Sequence, residues 1–168
     1  GLWRYNADGI DVCNSENVTI RDCFVRSFDD SIVLKGLKFR GDLPVRNIHA
    51  TGCVIWNDWG RAFEIGAETC APEIYNVVCE DSDVIRNDMV ALDIQHGDRA
   101  AVHDIVFQDI RVETETHSPR PRIQTGLEDK YTDDPADTYC ANLMVIVING
   151  TMWSADTERG TARNVLFR

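Results

Sequence analysis

The sequence contains no apolar run close to the eighteen or so residues that a membrane span needs, so it predicts no transmembrane segment. Basic residues are outnumbered, since 17 Lys and Arg stand against 28 Asp and Glu, a formal net charge of -11. This balance argues against a nucleic-acid or anionic-membrane partner, because both would be repelled. No stretch has a helical period of apolar residues, so we expect little helix.

Chemical motifs of several common classes are also missing. The six cysteines show no Cys-x-x-Cys pair and no Cys/His metal spacing, which leaves most of them as small core residues, with disulfides open if the protein is exported. There is no P-loop and no serine–histidine–acid spacing. What is present is 43% hydrophobic content over 168 residues, enough for a real core. Both ends look truncated, because the chain begins at Gly1 and stops within a strand-like pattern.

A four-residue motif recurs along the chain: Asn or Asp, a β-branched residue, any residue, then usually an apolar one. Its copies are 17–20, 47–50, 76–79, 104–107 and 164–167. The steps from Val18 to Ile48, Val77 and Ile105 are 30, 29 and 28 residues. Repeats of this size predict a solenoid, in which we expect the turn asparagines to hydrogen-bond along their own stack.

Two further motifs repeat out of phase with the first. One comprises 9–12, 31–34, 62–65 and 91–94, with 143–148 as a fifth copy, and the other comprises 23–25, 53–55, 83–85 and 110–112. Three short strands per unit predict an all-β fold, a right-handed parallel β-helix that forms one domain over 1–168. A proline- and charge-rich loop insertion is expected near 114–140. We expect the chain to be part of a longer β-helix.

Three carboxylates are predicted to meet at the mouths of two stacked strands. If Ile10 lies over Ile32, Asp8 falls over Asp30, with Asp29 beside them. Crowded carboxylates repel, which raises the pKa of at least one, and folds accept this mainly for metal binding or acid–base chemistry. The alternative is that all three are solvated turn residues.

Alternation extends this cluster into a polar face on the outside of the same sheet. Its expected members are Asp11, Val33, Glu64 and Asp93, with Lys35 and Gln95 two residues further on and Arg61 aligned with Asp8 and Asp30. A long shallow groove of this kind suits an extended polymer. Aromatic residues in nearby turns could stack on sugar rings, although packing at the rim is the alternative reading for each: Trp3, Tyr5, Trp56 and Trp59.

The segments 6–11, 29–30 and 60–66 together resemble the polygalacturonase-type glycoside hydrolases, family 28, a clan that also includes dextranase-like β-helix enzymes. The resemblance spans roughly 6–112. It implies that Asp29 is the general acid and that Asp8 and Asp30 hold and deprotonate the attacking water. That inverting arrangement needs a carboxyl separation of roughly 6.5–9.5 Å. The resemblance implies no cofactor and no metal, and for such an enzyme we expect an extracellular or periplasmic location.

Two of the family's motifs have changed in this chain. Arg61 stands where the family has His, and Asp93 and Gln95 stand where it has Arg and Lys, the residues that meet the substrate. Because Asp93 would repel a uronate carboxylate, we expect a neutral or differently decorated glycan, although Lys35 and Arg61 could still pair with an anionic sugar. The substrate-binding candidates are Arg61, Glu64, Asp93, Gln95, Lys35 and His96. A solvated turn histidine is the alternative reading of His96.

Two other functions remain open. A β-helix polysaccharide lyase would use Ca²⁺ at the acidic cluster, or a Lys or Arg base against a uronate. A carbohydrate-binding β-helix without activity would explain the changed motifs, whereas the retention of all three aspartates favours a hydrolase.

Overall fold

The computed structural model describes residues 6–40, 42–114, 122–123, 132–133 and 141–168. Within these ranges the chain is built of strands and one 3-10 turn, Lys38–Arg40, and none of its helices could cross a bilayer. The strands are β1 (Ile10–Cys13), β2 (Glu16–Arg21), β3 (Phe24–Ser27), β4 (Ile32–Gly36), β5 (Val45–Thr51), β6 (Val54–Asn57), β7 (Arg61–Thr69), β8 (Glu73–Arg86), β9 (Val90–His96), β10 (Ala101–Val112), β11 (Arg122–Ile123), β12 (Thr132–Asp133), β13 (Asn142–Ile148) and β14 (Thr161–Phe167).

The first sheet stacks one strand from each coil, in the order β1-β4-β7-β9-β13, with all pairs parallel. Its register places Ile10, Ile32, Phe63, Leu92 and Met144 in one column. The predicted register of the second motif is therefore confirmed, and so is its fifth copy in β13.

The second sheet has seven strands, and a bend divides it into two faces. The long strand β8 pairs with β5 in its first half and with β6 in its second half. Between the halves, the backbone φ is positive at a column of four residues: Asp22, Gly52, Asp81 and Asp109. Together with the first sheet, the two faces enclose the three-sided coil of a right-handed parallel β-helix, as predicted.

A stack of side-chain amides runs along the outside of this sheet, and we call Asn17, Asn47 and Asn76 the asparagine ladder. Asn47 Nδ2 donates to Asn17 Oδ1 at 2.8 Å, and Asn76 Nδ2 donates to Asn47 Oδ1 at 2.7 Å. The backbone φ of these residues is between 53° and 61°, a left-handed conformation that Asn tolerates better than most residues. The predicted stack of turn asparagines is confirmed.

The core fills the interior of the coils with columns of aliphatic residues. Phe63, Ile65, Ile55 and Ile105 are at most 1% exposed, and burying each such side chain contributes about 1.5–3 kcal/mol. Cys53 lies over Cys23, since Val54 N donates to Cys23 O at 2.9 Å, and it is buried as expected. The cysteines of the described ranges are free thiols, and Cys140 lies outside them.

The predicted insertion near 114–140 falls mostly outside the described residues. Within it, β11 and β12 form a short antiparallel pair, Arg122 opposite Asp133 and Ile123 opposite Thr132. The chain then returns to the helical path in β13 and β14, which pair in parallel with β9 and β10.

Candidate active site

The entrances of β1 and β4 bring three aspartates together, here called the aspartate triplet: Asp8, Asp29 and Asp30. Gly9 N donates to Asp30 O at 2.8 Å, which continues the strand register into the preceding turns. A Cβ on Gly9 would lie 2.4 Å from Ser31 O, so this close approach requires glycine. One carboxylate oxygen from each member of the triplet lies within 4.8 Å of the others. The predicted convergence is therefore present.

Asp29 is the member whose charge is most strongly disfavoured. Burial raises the pKa of Asp29 to about 7, and the negative charges of Asp30 and Asp8 add to this effect. A hydrogen bond from Asn6 N to Asp29 Oδ2 at 3.2 Å and the cation of Arg61 oppose it only in part. Asp29 is therefore protonated below neutral pH and about half protonated at pH 7, which suits a general acid. Crowding alone was expected to do this, but burial is the larger cause.

Lys35 holds Asp8 from the next coil. Its Nζ lies 2.7 Å from Asp8 Oδ2 and 3.0 Å from Asp11 Oδ2. Burial raises the pKa of Asp8, while the hydrogen bond and charge of Lys35 lower it. Burial works to lower the pKa of Lys35, but Asp8 and Asp11 raise it above its ordinary range, so the ammonium stays charged. The structure thus places Lys35 against a member of the triplet.

Arg61 serves the other side of the triplet. Its backbone N donates to Asp30 Oδ1 at 3.1 Å, and its Nη1 lies 3.6 Å from the same oxygen. Its Nε donates to Asp93 Oδ2 at 3.0 Å and lies 3.9 Å from Glu64 Oε1. One partly buried guanidinium therefore faces three carboxylates.

Glu64 and Asp93 occupy the predicted column of Asp11, Val33, Glu64 and Asp93, but they do not face solvent. Each is only 2% exposed, which corrects the expectation of a continuous open polar face. Among the described residues, both Glu64 oxygens and Asp93 Oδ1 accept no hydrogen bond. Burial and the nearby Asp30 raise the pKa of Glu64 well above its ordinary value. Burial also raises the pKa of Asp93, to about 6, against the opposing charge of Arg61.

The two remaining candidates of β9 differ in exposure. Gln95 is half-buried and pairs with Gly66, where a Cβ would lie 2.0 Å from Gln95 O. His96 is fully buried, with Nδ1 2.8 Å from Thr69 Oγ1 and Nε2 2.7 Å from Ala100 O. Burial lowers the pKa of His96, so the ring is neutral. His96 thus lies neither in a solvated turn nor on an open groove, which corrects both expectations.

Trp56 is not free to stack on a sugar ring. The guanidinium of Arg26 lies 5.1 Å from its ring centroid and that of Arg86 lies 5.6 Å from it, each from a neighbouring coil. Its Nε1 donates to Asp58 Oδ1 at 2.9 Å. Rim packing is therefore the correct reading of Trp56, whereas Trp3 and Tyr5 lie outside the described residues.

A second group of potential metal ligands is Cys70, Asp98 and Asp156. Asp98 accepts hydrogen bonds from the backbone of Thr69 at 2.9 Å and from the backbone of Asp156 at 2.8 Å. Asp156 binds the guanidinium of Arg99 through both oxygens. These carboxylates are already occupied by donors of the chain, so this group joins the 154–156 loop to the coils.

The carboxyl separation of roughly 6.5–9.5 Å expected for an inverting enzyme stays a prediction. One carboxylate oxygen from each member of the triplet lies within 4.8 Å of the others. A water molecule in the site would therefore contact several carboxylates at once.

The sequence reading missed one buried polar residue beside the triplet, Asn57. Its amide donates to Asp29 O at 2.8 Å. The available signal was a polar residue at the inward-facing end of a third strand, aligned with Ser27 of the coil before.

Comparison with known proteins agrees with this geometry. The family model described as "Glycosyl hydrolases family 28" matches residues 4–153. An endo-polygalacturonase of Pectobacterium parmentieri is 36% identical over 78 residues, which cover 45% of this chain and 17% of that protein. An endo-polygalacturonase of Pectobacterium carotovorum subsp. carotovorum is 35% identical over 78 residues, with the same coverage of 45% and 17%. The match thus covers less than a fifth of either relative. Because the family model matches most of the chain, the chain belongs to glycosyl hydrolases family 28.

Proposed function

We propose that this chain carries the catalytic site of a glycoside hydrolase that cleaves a polysaccharide. The observation that carries the proposal is the aspartate triplet: one carboxyl has a pKa of about 7, and its two neighbours are each held by a cation. Asp29 is the general acid, and Asp8 and Asp30 hold the attacking water. The family and the names of the two relatives support the same class of reaction.

The proposed step transfers two protons. Asp29 gives its proton to the glycosidic oxygen as the bond from that oxygen to the anomeric carbon breaks. The oxygen of water forms the new bond to the anomeric carbon, and its proton passes to Asp8 or Asp30. The negative triplet also stabilises the oxocarbenium-like transition state. Loss of the proton from the base and reprotonation of Asp29 by solvent restore the site.

We propose inversion at the anomeric carbon. Two anchored carboxylates beside one acid are more than a retaining enzyme requires, because a single nucleophile suffices there. The anomeric configuration of the product tests this assignment directly. Proton NMR of the product released first should show the inverted anomer, and the retained anomer would refute this assignment.

The proposed substrate is a neutral or differently decorated glycan. Lys35 is engaged by Asp8 and Asp11, and Arg61 is engaged by three carboxylates, so these two cations offer little free charge to a uronate. The second candidate is polygalacturonate, which the names of the relatives favour.

Release of reducing sugar across a panel of neutral and uronate polysaccharides tests the proposal. The parent is compared with Asp29→Asn, and with Asp83→Asn as a control at an ion-paired position on another face. Turnover of one polymer that is lost only in Asp29→Asn supports the hydrolase and identifies the substrate class. Silence of the folded parent on the whole panel contradicts it.

The same panel separates the two alternative functions. A lyase would give an unsaturated, ultraviolet-absorbing product, with activity lost on chelation of Ca²⁺ if the triplet binds that ion. A binding module would retain affinity for a glycan in Asp29→Asn and show no turnover in the parent.

A further inference from the structure

Asn57, at the end of β6, lies directly behind the turn that carries two members of the triplet. It is 0% exposed. Its Nδ2 donates to Asp29 O at 2.8 Å and to Arg61 O at 3.0 Å, and its Oδ1 accepts from Trp59 N at 3.2 Å. A single buried amide therefore connects the turn before β4 to the turn before β7.

Two serines complete this connection. Ser27 Oγ donates to Asp29 O at 2.8 Å and lies 2.6 Å from Ser31 Oγ, and Ser31 Oγ lies 3.0 Å from Asn57 Nδ2. The carbonyl of Asp29 thus receives two side-chain donors. This carbonyl belongs to the peptide bond between Asp29 and Asp30. Holding it in place therefore fixes the direction in which both side chains leave the backbone.

The second connection reaches Asp30 from the other side. Arg61 N donates to Asp30 Oδ1 at 3.1 Å, while Arg61 O accepts from Asn57. Ser31 N also donates to Arg61 O at 2.8 Å. Loss of the Asn57 amide would therefore remove one of the two donors to Asp29 O and one of the two donors to Arg61 O, and so loosen both the peptide that carries Asp29 and the residue that holds the carboxylate of Asp30.

We propose that Asn57 is a positioning residue, which aims the acid Asp29 and the carboxylate of Asp30 at their partners through hydrogen bonds to Asp29 O and Arg61 O. This inference rests on the proposed function. It predicts that loss of the Asn57 amide lowers kcat by more than the accompanying loss of stability can explain.

The next coil offers a matched control. Trp56 pairs with Arg86, so Asn87 occupies the position equivalent to Asn57 one coil later. Asn87 is also buried, at 2% exposure, and its Nδ2 donates to Asn142 O at 3.2 Å. Its amide supports a turn that contains no member of the triplet.

The experiment compares Asn57→Ala with Asn87→Ala in kcat, KM, thermal midpoint and circular dichroism. We expect kcat to fall about 100-fold in Asn57→Ala, the scale of a small misplacement at a reacting centre, with KM nearly unchanged. Asn87→Ala removes a single long hydrogen bond, so it should lose less stability than Asn57→Ala and keep its kcat within a factor of three or so. Equal kcat values in the two variants would overturn the proposal.

A second readout is the pKa of Asp29, followed by carbon NMR of the aspartate carboxyl groups. The charged groups that face Asp29 are Asp30, Asp8 and Arg61. If its turn loosens, Asp29 becomes more solvated and moves away from the other carboxylates, so its pKa should fall from about 7 towards the ordinary value near 3.9. The alkaline limb of the kcat profile should then move to lower pH. An unchanged pKa in Asn57→Ala would contradict the positioning role.

The test still decides if Asn57→Ala does not fold or if the parent is inactive. If Asn57→Ala does not fold, Ser27→Ala removes one of the two donors to Asp29 O, and an unchanged kcat and pKa of Asp29 in that variant overturns the proposal. If the parent turns over no polysaccharide, the proposed function fails, while the NMR titration still decides whether Asn57 sets the environment of Asp29.

Discussion

The asparagine ladder and the aspartate triplet are produced by the same geometry, the stacking of one coil on the next about 4.8 Å away. In the ladder an amide can both donate and accept, so Asn47 donates to Asn17 at 2.8 Å and accepts from Asn76 at 2.7 Å, and stacking satisfies its side chain. The side chains of the triplet are carboxylates, which only accept hydrogen bonds when ionised, so stacking them on neighbouring coils makes their charges repel. There the chain adds Lys35 from one coil and Arg61 from the next, and a proton remains on Asp29. The proposed chemistry thus lies where stacked side chains cannot satisfy one another.

The largest expected effect on kcat comes from a substitution that removes the acidic proton of Asp29. Asp29→Asn keeps the shape but cannot donate as an acid, so kcat should fall about 10³-fold. The parent should lose activity as pH rises through about 7, because Asp29 must be protonated. Rate profiles from pH 4 to 9 or so check both points. Activity that persists at full level well above pH 7 would assign the acid to another residue.

The next effect concerns the cation that holds Asp8. In Lys35→Met the lowering influence on the pKa of Asp8 is lost, so this pKa rises and the base becomes protonated at working pH. We expect kcat to fall about 100-fold and the acid limb of the profile to move to higher pH. Lys35→Arg, which keeps the charge, is the control. If KM rises for uronate polymers alone and kcat is unchanged, Lys35 binds substrate instead.

These two effects concern the part of the site that could be predicted from sequence. Repeats of 22 to 31 residues fix which residues stack, so the alignment of Asp8 with Asp30 followed from the alignment of Ile10 with Ile32. Alternation also placed Glu64 and Asp93 on the correct side of the sheet. It could not indicate what covers them, because burial depends on neighbouring coils. His96 was misread and Asn57 was missed for the same reason, since most of their hydrogen-bond partners lie in other turns or other coils.

A smaller effect is expected from Glu64, whose buried carboxylate accepts no hydrogen bond among the described residues and lies 3.9 Å from Arg61 Nε. The folded-state pKa of Glu64 is raised, so its contribution to stability is present below its ordinary pKa of 4.5 and is lost as pH rises through the folded value. Glu64→Gln should therefore be more stable than the parent at pH 8 or so, by about 1–3 kcal/mol, with a smaller difference in acid. Urea unfolding at both pH values checks this, and Glu80→Gln, at a half-buried site with a hydrogen-bonded carboxylate, is the control. A parent whose stability rises with pH relative to Glu64→Gln would reverse the sign.

The smallest expected effect concerns the asparagine ladder, where the stacked side chains hydrogen-bond one another. Asn47→Ala removes both ladder hydrogen bonds and places a Cβ with no polar group at a φ of 57°, so it should cost about 1–2 kcal/mol. Asn47→Gly loses the same hydrogen bonds without backbone strain and should cost less. Urea unfolding separates the two contributions, and kcat should not change in either variant. If Ala and Gly destabilise equally, the stacked hydrogen bonds rather than the backbone conformation explain the asparagine. If neither has an effect, the ladder follows from the register of the coils and does not help to set it.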